Sequence, residues 1–227
     1  IATVDVSYPS TPLFLLYNPE LVKGMMRPIF KYAASEAWPF EFAPHDVGQY
    51  PLANGQVYAD NKLEGQMPVE ECGNMLIMAA AVTLAEQDTQ FAEEHGELLS
   101  KWANYLLEHG LDPEHQLCTD DFAGHLARNA NLSIKAIMGL AGYSLIMDRI
   151  GRSDEARRWL TAAGEMADRW KEMAAENDHY KLAFGTENTW SLKYNLIWDL
   201  IFGTRLFGNE VPQTETAWYL ARSNRYG

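Results

Sequence analysis

Acidic side chains gather in three polar segments, each of which leads into a strongly apolar stretch of sequence. The segments are residues 67–74, 119–131 and 184–190. Paired carboxyl groups suit hydrolysis, because a protonated one can donate to a leaving group while an ionised one activates water or attacks the substrate. Crowding several acids would itself raise the pKa of one of them. We therefore predict catalytic carboxylates at Glu70, Asp120 and Asp121.

Histidine, amide and indole side chains accompany these acids and are suited to binding a substrate or sharing its proton transfers. A fourth segment, residues 38–66, is rich in Pro, Gly and aromatic residues and is longer than ordinary connections, which is typical of a functional loop. The predicted substrate-binding residues in these segments are His45, Asp46, Glu71, Asn74, His125, Glu187, Asn188 and Trp190.

Each of these residues also has a structural interpretation. Asp and Glu are favoured in the first turns of helices, where a cap contributes about 1 kcal/mol. Glu71 would then be a first-turn acid that points outward, and one of Asp120 and Asp121 would order its own loop. A histidine beside an aspartate is more often a structural hydrogen bond than a catalytic one. The set as a whole exceeds what capping needs, which favours a functional site.

Metal and cofactor chemistry finds little support in the sequence. The motifs HExxH, GxSxG, GxGxxG and GxxxxGK[ST] do not occur, and the two cysteines do not form a CxxC pair. A calcium ion held by Asp46, Asp120 or Asp121 is the one metal alternative, but the DxDxDG spacing is missing. We therefore expect neither a metal nor a cofactor.

Composition limits the partners. The 227 residues are 47% hydrophobic, enough for a buried core, and the formal net charge of −13 would repel a phosphate backbone. Apolar runs fall short of the roughly 20 residues needed to cross a bilayer. We expect no nucleic acid partner and no membrane span.

Helical periodicity predicts a series of antiparallel helix pairs. Asn18 and Pro19 are typical of a helix start, which predicts a helix to about residue 35. The later pairs each combine a strongly apolar helix with a more amphipathic or charged one. They are predicted at residues 69–86 with 89–109, 132–150 with 153–176, and 192–207 with 214–222.

An internal repeat supports this interpretation, because Asn74, Asn131 and Asn188 lie 57 residues apart in the sequence. Apolar helices alternating with amphipathic ones are typical of an inner helical ring wrapped by an outer one. A closed toroid of six hairpins would need about 340 residues, so residues 1–227 should hold about four hairpins of a single all-α domain, truncated at both ends. A plain α-solenoid has the same alternation, but the long polar loops favour the toroid.

The toroid would also bring the predicted residues together. In a ring of hairpins all inner helices run in the same direction, so their N-termini surround one mouth. Carboxylates from different hairpins should therefore converge there.

Six sequence motifs occur in order along the chain, at residues 3–9, 42–46, 67–77, 116–124, 186–190 and 193–195. Together they resemble the six-hairpin domain of the glutaminase A family. The resemblance implies an (α/α)6 toroid similar to that of glycoside hydrolases, preceded by a β-rich domain in exported proteins. It further implies an extracellular or periplasmic location, and the remainder of the parent chain, with its missing hairpins, as a partner.

The resemblance implies hydrolysis of glutamine to glutamate and ammonia. Glu70 or Asp121 would then act as base toward water, while another acid protonates the departing ammonia. A glycoside hydrolase using the same carboxylates is the alternative. In that case a distance of about 5 to 5.5 Å between the two carboxyl groups would predict retention of the anomeric configuration, and about 6.5 to 9.5 Å would predict its inversion. The third alternative is a noncatalytic carbohydrate-binding or scaffold module. A small-molecule or glycan substrate follows from the first two.

Overall fold

Helices dominate the computed structural model, which describes residues 1–119 and 123–226. The α-helices are α1 (Val4–Tyr17), α2 (Pro19–Ala33), α3 (Pro68–Glu86), α4 (Gln90–Glu94), α5 (Gly96–His109), α6 (Ala130–Arg149), α7 (Ser153–Ala174), α8 (Ile197–Phe202) and α9 (Glu210–Arg222). Short 3-10 helices lie at Tyr58–Asn61 and Tyr194–Leu196, and the antiparallel strands β1 (Ala175–Glu176) and β2 (His179–Tyr180) form a two-stranded sheet. The all-α prediction is confirmed.

The helices are arranged as hairpins around an inner row. Helices α1, α3, α6 and α8 are neighbours in that row, and α2, α5 and α7 pack outside α1, α3 and α6 respectively. Helix α9 packs on β2 and faces α8 across a pocket of about 440 Å³. The arrangement matches the prediction of about four hairpins. The extent of the toroid beyond them stays a prediction.

Burial separates the inner helices from the outer ones. Helix α3 is buried without interruption from Val69 to Thr83, and α6 from Ala130 to Ser144. Helices α5 and α7 bury only one face, as their amphipathic sequences predict. Helix α6 is long and apolar enough to cross a membrane, but 94% of its most apolar window is buried inside the fold. Packing between hairpins therefore accounts for its apolar sequence.

Helices α3 and α6 approach closely because glycines line their contact. A Cβ at Gly73 would lie 2.6 Å from Cγ of Lys135, and one at Gly142 would lie 2.9 Å from Cβ of Ala80. Both distances are far shorter than ordinary van der Waals contact. The small residues thus allow side chains of one inner helix to reach the other, and the Lys135 side chain of α6 reaches α3 past Gly73 in this way.

Helix α1 was not among the predicted helices. It contains Pro9 and Pro12, which lack the N–H groups that interior helical positions normally donate. The hydroxyl groups of Ser7 and Thr11 donate to the backbone carbonyls of Thr3 and Ser7, one turn earlier, at 3.0 and 2.9 Å. Packing against α2 and α3 overrides the local preference.

The helix predicted at residues 192–207 is also shorter than expected. Helix α8 ends at Phe202, and Gly203 follows in the left-handed region at φ 70°. The Asp199 carboxylate then accepts hydrogen bonds from the backbone N–H groups of Leu206 (2.9 Å) and Phe207 (3.0 Å). These bonds stabilise a turn where the apolar pattern suggested a continuing helix, and α9 begins at Glu210 rather than near residue 214.

The contact between α3 and α6 can be tested with Gly142→Ala. We expect the added methyl group to lower the free energy of unfolding by about 1 to 3 kcal/mol, because Ala80 leaves no room for it. Gly24→Ala is the matched control, since Gly24 lies in α2 with no atom within 4 Å of the added Cβ. That control should gain up to about 1 kcal/mol from helix propensity. Equal effects of the two substitutions in urea denaturation would contradict the close packing.

Candidate functional site

The first two turns of α3 bring three predicted site residues together. Helical spacing places Asn74 one turn beyond Glu70 and Glu71, and its Nδ2 donates to Oε1 of Glu70 and Oε2 of Glu71, both at 3.0 Å. The three side chains are at most 1% exposed. The expectation that Glu71 points outward is therefore wrong.

Lys135 of α6 completes this group from the neighbouring hairpin. Its Nζ forms an ion pair with Oε1 of Glu70, and both side chains are fully buried. Thr119 donates its hydroxyl hydrogen to the same Glu70 oxygen and accepts from Lys135 Nζ at 3.1 Å. The second oxygen of Glu70 has no hydrogen-bond partner among the described residues.

The acids of α3 do not cap their own helix. The amide N–H groups of Val69 and Glu70 donate to the side-chain oxygen of Gln116, at 3.0 and 3.3 Å. Helix α6 is likewise capped by Asn129, whose oxygen accepts from the next two free N–H groups. Helix capping therefore does not explain why the carboxyl groups of Glu70 and Glu71 are buried at the start of α3.

Hydrogen bonds extend the buried group to the first and last inner helices. Asn195 donates to the backbone carbonyl of Asn131 at 2.9 Å and accepts from the Tyr8 hydroxyl at 2.6 Å. The indole of Trp198 donates to the same hydroxyl oxygen, also at 2.6 Å. Lys135 Nζ lies 4.1 Å from the centre of the Tyr8 ring. The N-terminal ends of the inner helices thus meet at one end of the hairpins, as predicted from topology.

A second group forms around His45, in the long loop between α2 and α3. Its Nδ1 lies 2.9 Å from Oδ2 of Asp46, and its Nε2 lies 3.3 Å from Oδ1 of Asp5 in the first turn of α1. One ligand atom each from Asp5, His45 and Glu71 lies within 4.8 Å of the other two. Asp46 also accepts from the backbone N–H of Gly48 at 2.7 Å. His45 and Asp46 were both predicted site residues.

Burial and charge shift the pKa values of this second group. Burial lowers the pKa of His45, but its hydrogen bonds to Asp46 and Asp5 outweigh burial and raise that pKa to about 10. Burial raises the pKa of Asp46, yet hydrogen bonds from His45 and backbone amides hold it below the usual value. Burial and the nearby Asp5 carboxylate raise the pKa of Glu71 well above its usual value. At neutral pH His45 is therefore an imidazolium beside the side chains of Asp46 and Asp5.

A pocket of about 600 Å³ opens next to the first group. Thr119 lines it, so one hydroxyl group belongs both to the pocket and to the buried Glu70–Lys135 pair. Trp190, a predicted binding residue, also lines the pocket and is 45% exposed. The described lining residues are Pro9, Thr119, Ala123, Leu182, Trp190, Ser191, Leu192 and Tyr194.

Other predicted residues lie elsewhere or outside the described chain. His125 is exposed and stacks on His115, with ring centres 5.6 Å apart. Glu187 and Asn188 are also exposed, and Asn188, with φ 57°, donates its backbone N–H to Glu176 at 2.8 Å. Asn131 is hydrogen-bonded to Asn195 rather than to Asn188, the residue that shares its 57-residue repeat. The catalytic candidates Asp120 and Asp121 lie outside the described residues, and their roles stay predictions.

Three residues of these groups were missed by sequence analysis: Lys135, Thr119 and Asp5. Lys135 had a usable signal, because it is the one charged residue between Arg128 and Asp148 in an otherwise apolar helix. Thr119 and Asp5 lie in motifs noted above but gave no signal of their own. The aromatic residues of the long loop, by contrast, mostly pack it onto the core, since Trp38 and Phe42 are at most 5% exposed.

Comparison with known proteins gives a consistent set of relatives. Residues 1–227 match the family model described as the glutaminase A six helical-hairpin domain. The chain is 36% identical over 230 residues to a protein named glutaminase A from Aspergillus oryzae, an alignment that covers 99% of the chain and 33% of the relative. It is 28% identical over 267 residues to a protein of Arthroderma benhamiae named "Probable glutaminase", an alignment that covers 92% of the chain and 31% of the relative. The chain thus spans about a third of the length of each relative.

The buried ion pair predicts a large effect of Lys135→Met. Removing the ammonium group leaves Glu70 as an uncompensated buried carboxylate, and we expect a loss of about 3 to 5 kcal/mol in the free energy of unfolding. Arg157→Met removes the cation of an exposed pair with Asp154 and should leave stability nearly unchanged. A Lys135→Met protein as stable as the Arg157→Met protein in urea denaturation would show that the pair does not support the fold.

Proposed function

Because this chain belongs to the glutaminase A six helical-hairpin domain family, we propose that the protein hydrolyses the side-chain amide of L-glutamine to glutamate and ammonia. The observation that carries the proposal is the position of Thr119. Its hydroxyl lines the pocket and is hydrogen-bonded to a fully buried carboxylate and ammonium group.

Burial limits what Glu70 can do directly. Its side chain is 0% exposed, so a substrate in the pocket meets Thr119 before it meets the carboxylate. Glu70 therefore acts on the substrate through the Thr119 hydroxyl, whose hydrogen it accepts. A hydroxyl paired with an adjacent base is the arrangement of an activated nucleophile. This role differs from the sequence prediction, in which Glu70 or Asp121 acts as base toward water rather than toward a side-chain hydroxyl.

The reaction then proceeds in two steps. Oγ1 of Thr119 attacks the side-chain carbonyl carbon of glutamine while Glu70 takes the hydroxyl proton, and that proton passes to the nitrogen as the C–N bond breaks and ammonia leaves. Water next hydrolyses the Thr119 ester, so that glutamate leaves and the hydroxyl is restored. The ammonium group of Lys135 pairs with the Glu70 carboxylate and donates to Oγ1 as negative charge develops there.

Asp121 is retained as the alternative base in this proposal. It follows Thr119 by two residues and was predicted to act on water. If it does so, water attacks the amide directly and no ester forms on Thr119. The two routes differ in their dependence on the Thr119 hydroxyl, which makes them separable by substitution.

Trp190 favours a second candidate function, hydrolysis of a glycoside. Its half-exposed indole lines the same pocket and offers an apolar face on which a sugar ring can stack. The same acids would then act on a glycosidic bond. A noncatalytic carbohydrate-binding module would use the indole without the acids.

We also propose that the exposed apolar faces of the inner row pack against the remainder of the full-length protein. Leu13, Leu16 and Tyr17 of α1 are 56%, 79% and 76% exposed, and Leu200 of α8 is 77% exposed. Relatives about three times as long as this chain leave room for further hairpins and for a β-rich domain. Export to an extracellular or periplasmic location rests on the family resemblance alone.

The activity is tested by ammonia release from L-glutamine by the full-length protein, measured beside a panel of aryl glycosides. We expect Thr119→Val and Glu70→Gln each to lower kcat about 10² to 10⁴-fold, because each removes one half of the nucleophile and base pair. Thr119→Ser keeps a hydroxyl and should retain far more activity. The double substitution should be little worse than either single one, since the residues act as a unit.

Thr161→Val is the control, because Thr161 is an exposed threonine of α7 far from the pocket lining. Ammonia release that survives Thr119→Val but not Asp121→Asn would replace the ester route with direct attack by water. Glycoside turnover without ammonia release would establish the second candidate. If neither ammonia release nor glycoside turnover is detected, although circular dichroism shows that all the proteins are folded, the result would favour the noncatalytic binding module.

A further inference from the structure

Asp5, His45 and Glu71 converge from three separate parts of the chain. They belong to the first turn of α1, the long loop before α3, and the first turn of α3. One ligand atom of each lies within 4.8 Å of the other two. None of the three lines the pocket that contains Thr119. The group is therefore distinct from the proposed catalytic pair and was assigned no metal in the sequence analysis.

One oxygen atom of this group lacks a partner. Oε1 of Glu71 has none within the described part of the chain although the side chain is 1% exposed, and its other oxygen accepts from Asn74 at 3.0 Å. Among the described residues, Oδ1 of Asp5 is held only by its ion pair with Nε2 of His45 at 3.3 Å. Buried polar atoms are normally satisfied, so an unpartnered Glu71 oxygen that converges with the Asp5 carboxylate and the His45 imidazole points to a ligand shared by the three.

We propose that Asp5, His45 and Glu71 bind a divalent transition-metal cation such as Zn²⁺ or Mn²⁺. One imidazole nitrogen and two carboxylate oxygens form a donor set that suits these ions, with water completing the coordination. Ca²⁺ and Mg²⁺ prefer ligand sets made wholly of oxygen and are disfavoured by the imidazole. The proposal does not depend on the identity of the substrate.

Asp46 would orient the histidine ligand. It accepts from Nδ1 of His45 at 2.9 Å and is itself fixed by the backbone N–H groups of Gly48 at 2.7 Å and Val57 at 3.3 Å. A carboxylate bound to one imidazole nitrogen leaves the other nitrogen for the metal, which is the usual arrangement behind a metal-binding histidine. When the cation binds, the Nε2 hydrogen of His45 and any carboxyl hydrogen on Glu71 leave as protons to solvent, and the cation takes its place between the three side chains.

The cation would add a direct link between three segments that already meet at this point. The N–H of Val4 donates to the carbonyl of His45 at 2.8 Å, and the N–H of Ala43 donates to Sγ of Cys72 at 3.3 Å. A metal bound to both acids and the imidazole would add a link between α1, the loop and α3. We expect it to raise the unfolding temperature as well as to bind.

The test is calorimetric titration of the full-length protein, freed of metal with a chelator, with ZnCl₂ and in a separate experiment with MnCl₂. We expect one equivalent to bind and to raise the unfolding temperature. Asp5→Asn and His45→Gln should each weaken binding at least about tenfold, and Asp46→Asn should weaken it about 10 to 100-fold through the orientation of His45. His179→Gln is the matched control, because His179 also lies 3.3 to 3.4 Å from two carboxylates, but among the described residues no three ligand atoms converge within 4.8 Å there.

Co²⁺ added to the unsubstituted protein gives a readout that needs no variant to fold. A saturable visible absorption band that Zn²⁺ displaces would place the ion at a nitrogen and oxygen site, and its loss in any folded variant of the three would locate it. Binding that is undetectable in the unsubstituted protein would overturn the proposal. So would binding that persists unchanged in folded Asp5→Asn and His45→Gln proteins, or that is lost equally in His179→Gln.

Discussion

The packing of the inner helices depends on the buried ion pair between Glu70 and Lys135. Taking both charges fully out of water is costly, and that cost is offset only if the two helices hold the charges in contact and supply further hydrogen bonds. Asn74 and Thr119 supply those bonds, and Gly73 gives the lysine stem the space to cross between helices. The close packing of α3 on α6, the anchoring of Thr119 and the position of the pocket therefore follow from one electrostatic requirement.

Two acidic groups with different environments share the N-terminal end of α3. Glu70 is matched by a cation from the next hairpin, whereas Glu71 faces the carboxylate of Asp5 and the imidazole of His45. Consecutive helical residues point about 100° apart, so adjacent acids can serve two sites without competing for the same partners. Asn74 donates to both and keeps them in fixed relation. The division explains how one short segment contributes both to the proposed catalytic pair and to the separate group for which we propose metal binding.

The hairpin architecture was predictable from the sequence, because α3 and α6 are apolar nearly throughout, α5 and α7 are amphipathic, and the loops between them are polar. The elements that sequence analysis missed or misjudged depend on tertiary contacts: α1 forms despite Pro9 and Pro12, and α8 is cut short by hydrogen bonds to the Asp199 carboxylate. In the site, Glu70, Glu71, His45 and Asp46 were identifiable by type and position. Their partners were not, since Lys135 lies 65 residues from Glu70, and only folding shows which hairpin supplies the cation.

The hydrogen bonds from Tyr8 to Asn195 and from Trp198 to Tyr8 join residues 187 and 190 positions apart. On a ribosome that adds about 5 to 20 residues per second, α1 would wait about 10 to 40 s for these partners to be synthesised. During that interval the Tyr8 hydroxyl and the Asn131 carbonyl of α6 cannot reach their final partner, Asn195. The inner row should therefore stay open on this side until the fourth hairpin emerges, so that the order of synthesis, as well as the sequence, governs when the acidic end of the domain closes.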